Sequence, residues 1–136
     1  MSVPSNIPRT YLFVPGTRPE RFGKALASGA DAVILDLEDA VAADDKALAR
    51  HAIADWSRAA SADDQSRTVV RINDAASPWF ADDLSALREV GASCVLLPKA
   101  ESAQQVAATL AALCGASVLA FIESARGGAG GRTVAV

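Results

Sequence analysis

Five short apolar runs of β-forming residues, separated by longer stretches with helical spacing, constrain this chain more than any other feature. The runs are Tyr11–Val14, Ala32–Leu37, Thr68–Ile72, Cys94–Leu97 and Ser117–Ile122, and their starts lie roughly 20 to 35 residues apart. The stretches between them carry helix signals. Thr17 and Glu20 read as a capping box with Pro19 in the first turn, Phe22 and Leu26 lie one turn apart, and Gly29 offers a stop. Leu48, Ala52 and Trp56 recur at every fourth position. Ser77-Pro78 opens a third helix whose face holds Phe80, Leu84 and Leu87, and Ser102 with Gln105 forms a second capping box ahead of Val106, Leu110 and Leu113. Gly91 and Gly115 close these last two helices. The resulting βαβαβαβαβ order predicts an α/β fold with a parallel sheet and right-handed crossovers. An open doubly wound sheet and part of a (β/α)8 barrel both satisfy it.

Composition narrows the partners. The 136 residues are the size of one domain, and 51% of them are apolar, enough for a core. The formal charge is −3 and no Lys/Arg run stands out, which argues against nucleic acid as a partner. No apolar run approaches the roughly 18 to 20 residues of a membrane helix. The opening residues MSVPSNIPRT lack the apolar core of a secretion signal. Cys94 and Cys114 sit in apolar surroundings and read as buried free thiols. A cytoplasmic protein is expected.

The second strand ends in an unusual way. In VILDLEDAV, residues 33–41, an apolar run meets Asp36, Glu38 and Asp39 within four positions. Strand alternation puts Ile34, Asp36 and Glu38 on one face, at the C-terminal end where parallel α/β folds build their sites. The third strand ends with Arg71 and Asn73 on one face, the fourth with Pro98-Lys99, and the fifth with Glu123. One edge is therefore expected to gather Asp36, Glu38, Arg71, Lys99 and Glu123. Converging carboxylates suit a hard divalent cation, Mg²⁺ first among them, and a guanidinium suits a substrate carboxylate. A structural ion pair of Arg71 with Asp36 or Glu38 is the competing reading. Pro15-Gly16-Thr17 leads into a helix start with Arg18, Arg21 and Lys24 nearby, a setting for phosphate or simply solvated charge. His51, the one histidine, lies mid-helix beside Arg50 and reads as surface.

The stretches RTYLFVPGTRPERFGKALASGADAVILDLEDAV, VVRIND, VLLPKAES and FIESARG run in order from residue 9 to about 127. They resemble the citrate lyase beta-subunit-like family, which includes malyl-CoA and citramalyl-CoA lyases, within the HpcH/HpaI aldolase/citrate lyase superfamily. The resemblance implies a Mg²⁺-dependent lyase on a (β/α)8 barrel, cleaving or forming a C–C bond in a 3-hydroxyacyl thioester carried by CoA or a carrier protein. By motif, Arg71 would hold the substrate carboxylate. Glu123 would ligate the metal and border the substrate. Asp36 and Glu38 would stand behind the metal waters, and Arg18 and Lys24 would seat the CoA phosphates. The family also implies a homo-oligomer, a trimer.

The family barrel has eight βα units, and these residues supply about four plus a fifth strand. Residues 1–127 are thus expected to form the N-terminal half of the barrel domain, and the Gly-rich 128–136 a tail outside the family pattern. A frameshift or premature stop near Gly127 is the expected reason, and a deliberately cut piece the alternative. A signalling receiver, a different class, needs carboxylates ending the first strand, an Asp ending the third and a Lys ending the fifth. The chain has Pro15-Gly16, Arg71-Asn73 and Glu123 there. A non-catalytic half barrel that binds a related subunit is a further reading. A half barrel would leave its first and fifth strands with open edges. The chain alone is therefore expected to self-associate or fold only partly; a cooperatively melting monomer on size exclusion would contradict this.

Overall fold

The structure is a computed structural model and describes residues 9–113, 116–122 and 132–135. Strands β1 (Tyr11–Pro15), β2 (Ala32–Asp36), β3 (Thr68–Arg71), β4 (Cys94–Ala100), β5 (Ser117–Ile122) and β6 (Arg132–Ala135) form one sheet. Helices α1 (Phe22–Ala27), α2 (Lys46–Ala59), α3 (Ala62–Ser66), α4 (Phe80–Val90) and α5 (Ala103–Leu113) lie between the strands, with short 3₁₀ turns at Pro19–Arg21 and Ala43–Asp45. The sheet order is the chain order, and β1 to β5 are all parallel. That progression separates the two architectures. A doubly wound sheet reverses direction at a switch point, whereas a barrel steps always to the next strand.

Period-2 alternation divides the sheet into two apolar faces. Val33, Leu35, Val70, Val95, Leu97, Val118 and Ala120 join Phe22, Leu26, Ile53, Leu87, Val106 and Leu113 of the helices in the main core. Ile34, Val69 and Leu96, with Cys94 and Leu119, form a smaller cluster on the opposite face, which carries Asp36 and Arg71 above it. That second face is the interior side of the barrel arc.

Local expectations meet mixed outcomes. The second capping box forms in a shifted version: Ser102 Oγ accepts from the Gln105 amide at 3.3 Å, but Gln105 Oε1 accepts from the amide of Glu101, one residue before Ser102, at 2.9 Å. Gly91 ends α4 in the left-handed conformation at φ 65°. The first box does not form, because Pro19–Arg21 makes a 3₁₀ turn with Arg18 at its N-cap and no side-chain cap. The stripe on α2 is also shifted. Ala49, Ile53 and Ser57 are buried with Trp56 packed at their side, while Leu48 is 61% exposed. Trp56 meets Phe22 of α1 edge-on, 5.8 Å between centroids. α3 has its own cap, Ser61 Oγ accepting from the Asp64 amide, a short element the sequence periodicity does not reveal. The open edge expected on the fifth strand is instead taken by β6, antiparallel to β5 from Leu119↔Ala135 to Ile122↔Arg132. Thr133 and Val134 favour strands by branching at Cβ. Among the described residues β1 pairs with β2 alone, and Tyr11, Leu12 and Phe13 are exposed along it. Cys94 is a half-buried free thiol whose burial pushes its pKa up to about 11, while Cys114 and Gly115 lie outside the described residues.

Gly16 shows why the first loop is built as it is. Its amide donates to the Asp36 carbonyl at 2.8 Å, joining the end of β1 to the end of β2. A Cβ here would stand 2.8 Å from that oxygen and 3.0 Å from both Ala49 Cβ and Ile53 Cδ1. Gly16→Ala is expected to cost about 1–3 kcal/mol. Urea denaturation checks this, and a loss below about 0.5 kcal/mol would mean that the loop shifts freely.

Candidate functional site

Asp36 and Arg71 are direct partners in the β2–β3 register, so the ladder itself sets their side chains side by side on the interior face. Arg71 donates from Nε to Asp36 Oδ1 at 2.9 Å and from Nη2 to Oδ2 at 2.7 Å, a bidentate pair. Phe13 supports the guanidinium from β1, its ring centroid 4.8 Å from Cζ. Asp36 receives two further hydrogen bonds from the loop that follows it. The Glu38 amide reaches Oδ1 at 2.8 Å and the Ala40 amide reaches Oδ2 at 2.9 Å. Each carboxylate oxygen thus has two donors. Burial would raise the Asp36 pKa, but the Arg71 bonds and the two amides more than offset it and hold the carboxyl below its ordinary value. The same bonds raise Arg71.

Glu38 is placed differently. It is 7% exposed, with Oε1 3.6 Å from Arg71 Nε and Oε2 3.8 Å from Lys99 Nζ. Both distances exceed a hydrogen bond, and Oε2 is buried with no hydrogen-bond partner. Burial raises its pKa, the charges of Asp39 and Asp36 add to this, and Arg71 and Lys99 oppose it. The loop holding Glu38 is clamped from below. Lys46, buried at the first turn of α2, donates to the Leu37 carbonyl at 2.8 Å and the Glu38 carbonyl at 2.6 Å, with Trp79 5.1 Å from its ammonium. Burial lowers its pKa, against the pull of Asp36, Asp83, Glu38 and Asp39.

Asp36, Glu38, Arg71 and Lys99 stand together at one edge, as their places at the strand ends predict. The ion pair of Arg71, left open above, is formed with Asp36. Asn73 does not share the Arg71 face: β3 ends at Arg71, and Asn73 turns inward to Asp83 of α4, donating from its amide at 3.0 Å and from Nδ2 at 2.7 Å. Asp83 also accepts from Arg50 Nε of α2 at 3.0 Å. The inward roles of Lys46 and Asp83 do not follow from the strand-end pattern, although two signals in the sequence point to them. A lysine in the first turn of a helix opposes the helix dipole, and a carboxylate at position 83 falls on the Phe80/Leu84/Leu87 stripe. Arg18 and Lys24 are exposed around the start of α1, Arg18 lying 3.8 Å from Glu20. His51 is on the surface beside Asp55. Glu123 lies outside the described residues.

Among the described residues, no three Asp, Glu, His or Cys side chains gather as a metal ligand set. The Glu38 oxygen with no hydrogen-bond donor is an acceptor on this edge with capacity left for a water or a cation, and Arg71 and Lys99 flank its carboxylate. Asp36, with all its acceptor positions filled, has none to spare. No helix among the described residues is long and apolar enough to cross a membrane.

Comparison with known proteins gives consistent matches. Residues 9–128 match the model of the HpcH/HpaI aldolase/citrate lyase family. A citrate lyase subunit beta-like protein of Mycobacterium tuberculosis is 49% identical over 117 residues, 86% of this chain and 39% of that protein. An L-malyl-CoA/beta-methylmalyl-CoA lyase of Cereibacter sphaeroides is 38% identical over 91% of this chain and 38% of its own length. The structure of a citrate lyase beta subunit from M. tuberculosis, complexed with oxaloacetate and magnesium, superposes with a TM-score of 0.70 at 49% identity, over 86% of this chain and 48% of that one. The chain thus spans about two fifths of the length of the curated relatives it matches.

The Asp36–Arg71 pair dictates a stability and a pH dependence. Arg71→Met leaves a buried carboxylate unpaired and is expected to cost about 3–5 kcal/mol near neutral pH. Because the folded-state pKa of Asp36 is depressed, its stabilisation is present above the ordinary value of 3.8 and is lost as pH falls through the folded value. Chemical denaturation from about pH 6 to 2.5 should show this acid limb in the wild type and a flatter one in Arg71→Met. Equal limbs would assign the acid sensitivity to other carboxylates.

Proposed function

The chain belongs to the HpcH/HpaI aldolase/citrate lyase family, and from that premise we propose that it supplies the acid-binding half of a lyase site acting on a 3-hydroxyacyl thioester of the citryl-, malyl- or citramalyl-CoA kind. The observation that carries this reading is the buried Glu38 carboxylate, short of a hydrogen-bond donor and bracketed by Arg71 and Lys99, at the C-terminal end of a parallel sheet. Such an edge is where barrel enzymes hold their substrates.

Each residue has a role in this reading. Arg71 binds the substrate carboxylate through guanidinium N–H groups beyond the Nε and Nη2 bonds that Asp36 already uses. Asp36 orients Arg71 and keeps it rigid. Glu38 holds the hydrogen of a water or hydroxyl in place with its spare oxygen, so of Asp36 and Glu38 only Glu38 has capacity toward the metal waters. Glu123 is the residue that would hold Mg²⁺. The ion, when bound, supplies Lewis acidity that polarises the oxygens of the acid. Arg18 and Lys24, exposed beside Gly16, contact the phosphates of CoA, with a carrier protein as the alternative thioester bearer. Overall, loss of the substrate's hydroxyl proton breaks the adjacent C–C bond and yields a 2-oxo acid and a thioester enolate, which then takes up a proton. The whole protein forms a homo-oligomer, a trimer by family resemblance.

The exposed β1, with one strand neighbour and Tyr11, Leu12 and Phe13 open along it, favours a second reading: a half barrel that docks a related subunit without turnover of its own. One assay separates the two. The chain is incubated with malyl-, citramalyl- or citryl-CoA and Mg²⁺, alone and with the C-terminal half of the M. tuberculosis relative supplied in trans. Little turnover is expected from the chain alone. With the complement, release of a 2-oxo acid should appear, stop on chelation of Mg²⁺, and fall about 100-fold or more in Arg71→Met judged folded by circular dichroism. Co-purification without turnover on any of the three thioesters would leave the docking reading.

A further inference from the structure

Lys99 is the one non-glycine residue with positive φ among the described residues, at 52°. A residue with a Cβ enters the left-handed region at a steric cost, and such strain is held where the surrounding structure enforces it, often at binding sites. Here the enforcing elements are visible. The pairing of β4 with β5 slips between Leu97 and Ala100, so the strand bulges around this residue and re-aims its side chain. The ammonium arrives 3.8 Å from Glu38 Oε2, beyond hydrogen-bond range, with the Lys99 side chain 61% exposed. An ion pair this open adds little to stability. The strain at Lys99 therefore has no matching return within the chain. Meanwhile Glu38 has Arg71 on its other side at 3.6 Å, so two cations stand around one carboxylate at the rim of the interior face.

Resting on the acid-binding reading above, we propose that Lys99 is a second anion-binding residue of the same site, which takes the far carboxylate of a dicarboxylic 2-oxo acid while Arg71 takes the near one. Its ammonium exchanges a loose, solvated contact with Glu38 for a direct bond to the ligand. A site with two such cations selects dianionic acids over monoanionic ones, since a one-carboxylate ligand leaves Lys99 where it already is. The phosphates of a CoA chain are another anionic source for the same ammonium, and the test includes them.

Isothermal titration of the full chain at saturating Mg²⁺ with oxaloacetate, pyruvate or CoA, in the wild type and in Lys99→Met, Lys99→Arg and Lys99→Gly, decides the matter. Lys99→Met should weaken oxaloacetate about tenfold or more and leave pyruvate and CoA within about twofold, and Lys99→Arg should recover most of the loss. Lys99→Gly should lose the same affinity yet melt higher than the wild type, because glycine adopts this φ without strain; Lys99→Met should show no such rise. Unchanged oxaloacetate binding in Lys99→Met, an equal loss for pyruvate, a loss confined to CoA, or no rise in melting for Lys99→Gly would each overturn the proposal while the acid-binding reading stands. A wild-type chain that binds neither acid would overturn that reading, and this one with it.

Discussion

The buried bond between Asp36 and Arg71 is the interaction on which the rest of the site depends. It exists because β2 and β3 run parallel in a register that makes these residues direct neighbours. A one-residue slip of either strand would turn its member of the pair to the other face, into the apolar core beneath the helices, and leave the other unpaired. The register is held by the apolar pairs below it, Ile34 with Val69 and Leu35 with Val70. Packing thus pre-positions a charge pair that would be too costly to bury if either partner were missing. The pair in turn shapes the chain beyond it. By accepting from the amides of Glu38 and Ala40, the Asp36 carboxylate folds the following loop back over the end of its own strand.

That loop is clamped from two sides, and the clamp explains how a buried Glu38 can be tolerated. Asp36 holds its amides, and Lys46 holds its carbonyls from the start of α2. The backbone is then satisfied without any use of the Glu38 side chain, whose Oε2 remains without a hydrogen bond. Unmet hydrogen-bonding capacity in a buried carboxylate costs stability. A second polar knot, Arg50–Asp83–Asn73, ties α2 and α4 to the loop after β3 and leaves Arg71 as the last residue of its strand. The site is therefore rigid where it orients groups, and open at Glu38 and Lys99.

Much of this was legible in the residues. The alternation of strand and helix was readable because apolar runs with different periods need no tertiary information. The convergence of Asp36, Glu38, Arg71 and Lys99 was readable because parallel strands present their C-terminal ends together. The errors were local and had physical causes. Thr17 and Glu20 have the spacing of a capping box, but Arg18 takes the N-cap of a 3₁₀ turn instead. Leu48 fits a four-residue stripe, but the helix turns Ala49 and Ile53 to the sheet. β6 was invisible among glycines, its pairing supplied by the free edge of β5.

The sequence by itself determined the α/β class, the family and the edge on which polar groups collect, because periodicity and motif are properties of the chain in one dimension. Only the tertiary structure decided how those groups divide their work. Asp36 is saturated and Glu38 is not, although both stand in one motif, because hydrogen-bond capacity is assigned by neighbours from other elements: Arg71 from β3 and the folded-back amides for one, distant cations for the other. The left-handed bend at Lys99 is likewise a product of strand pairing, since nothing in Pro98-Lys99 alone requires it.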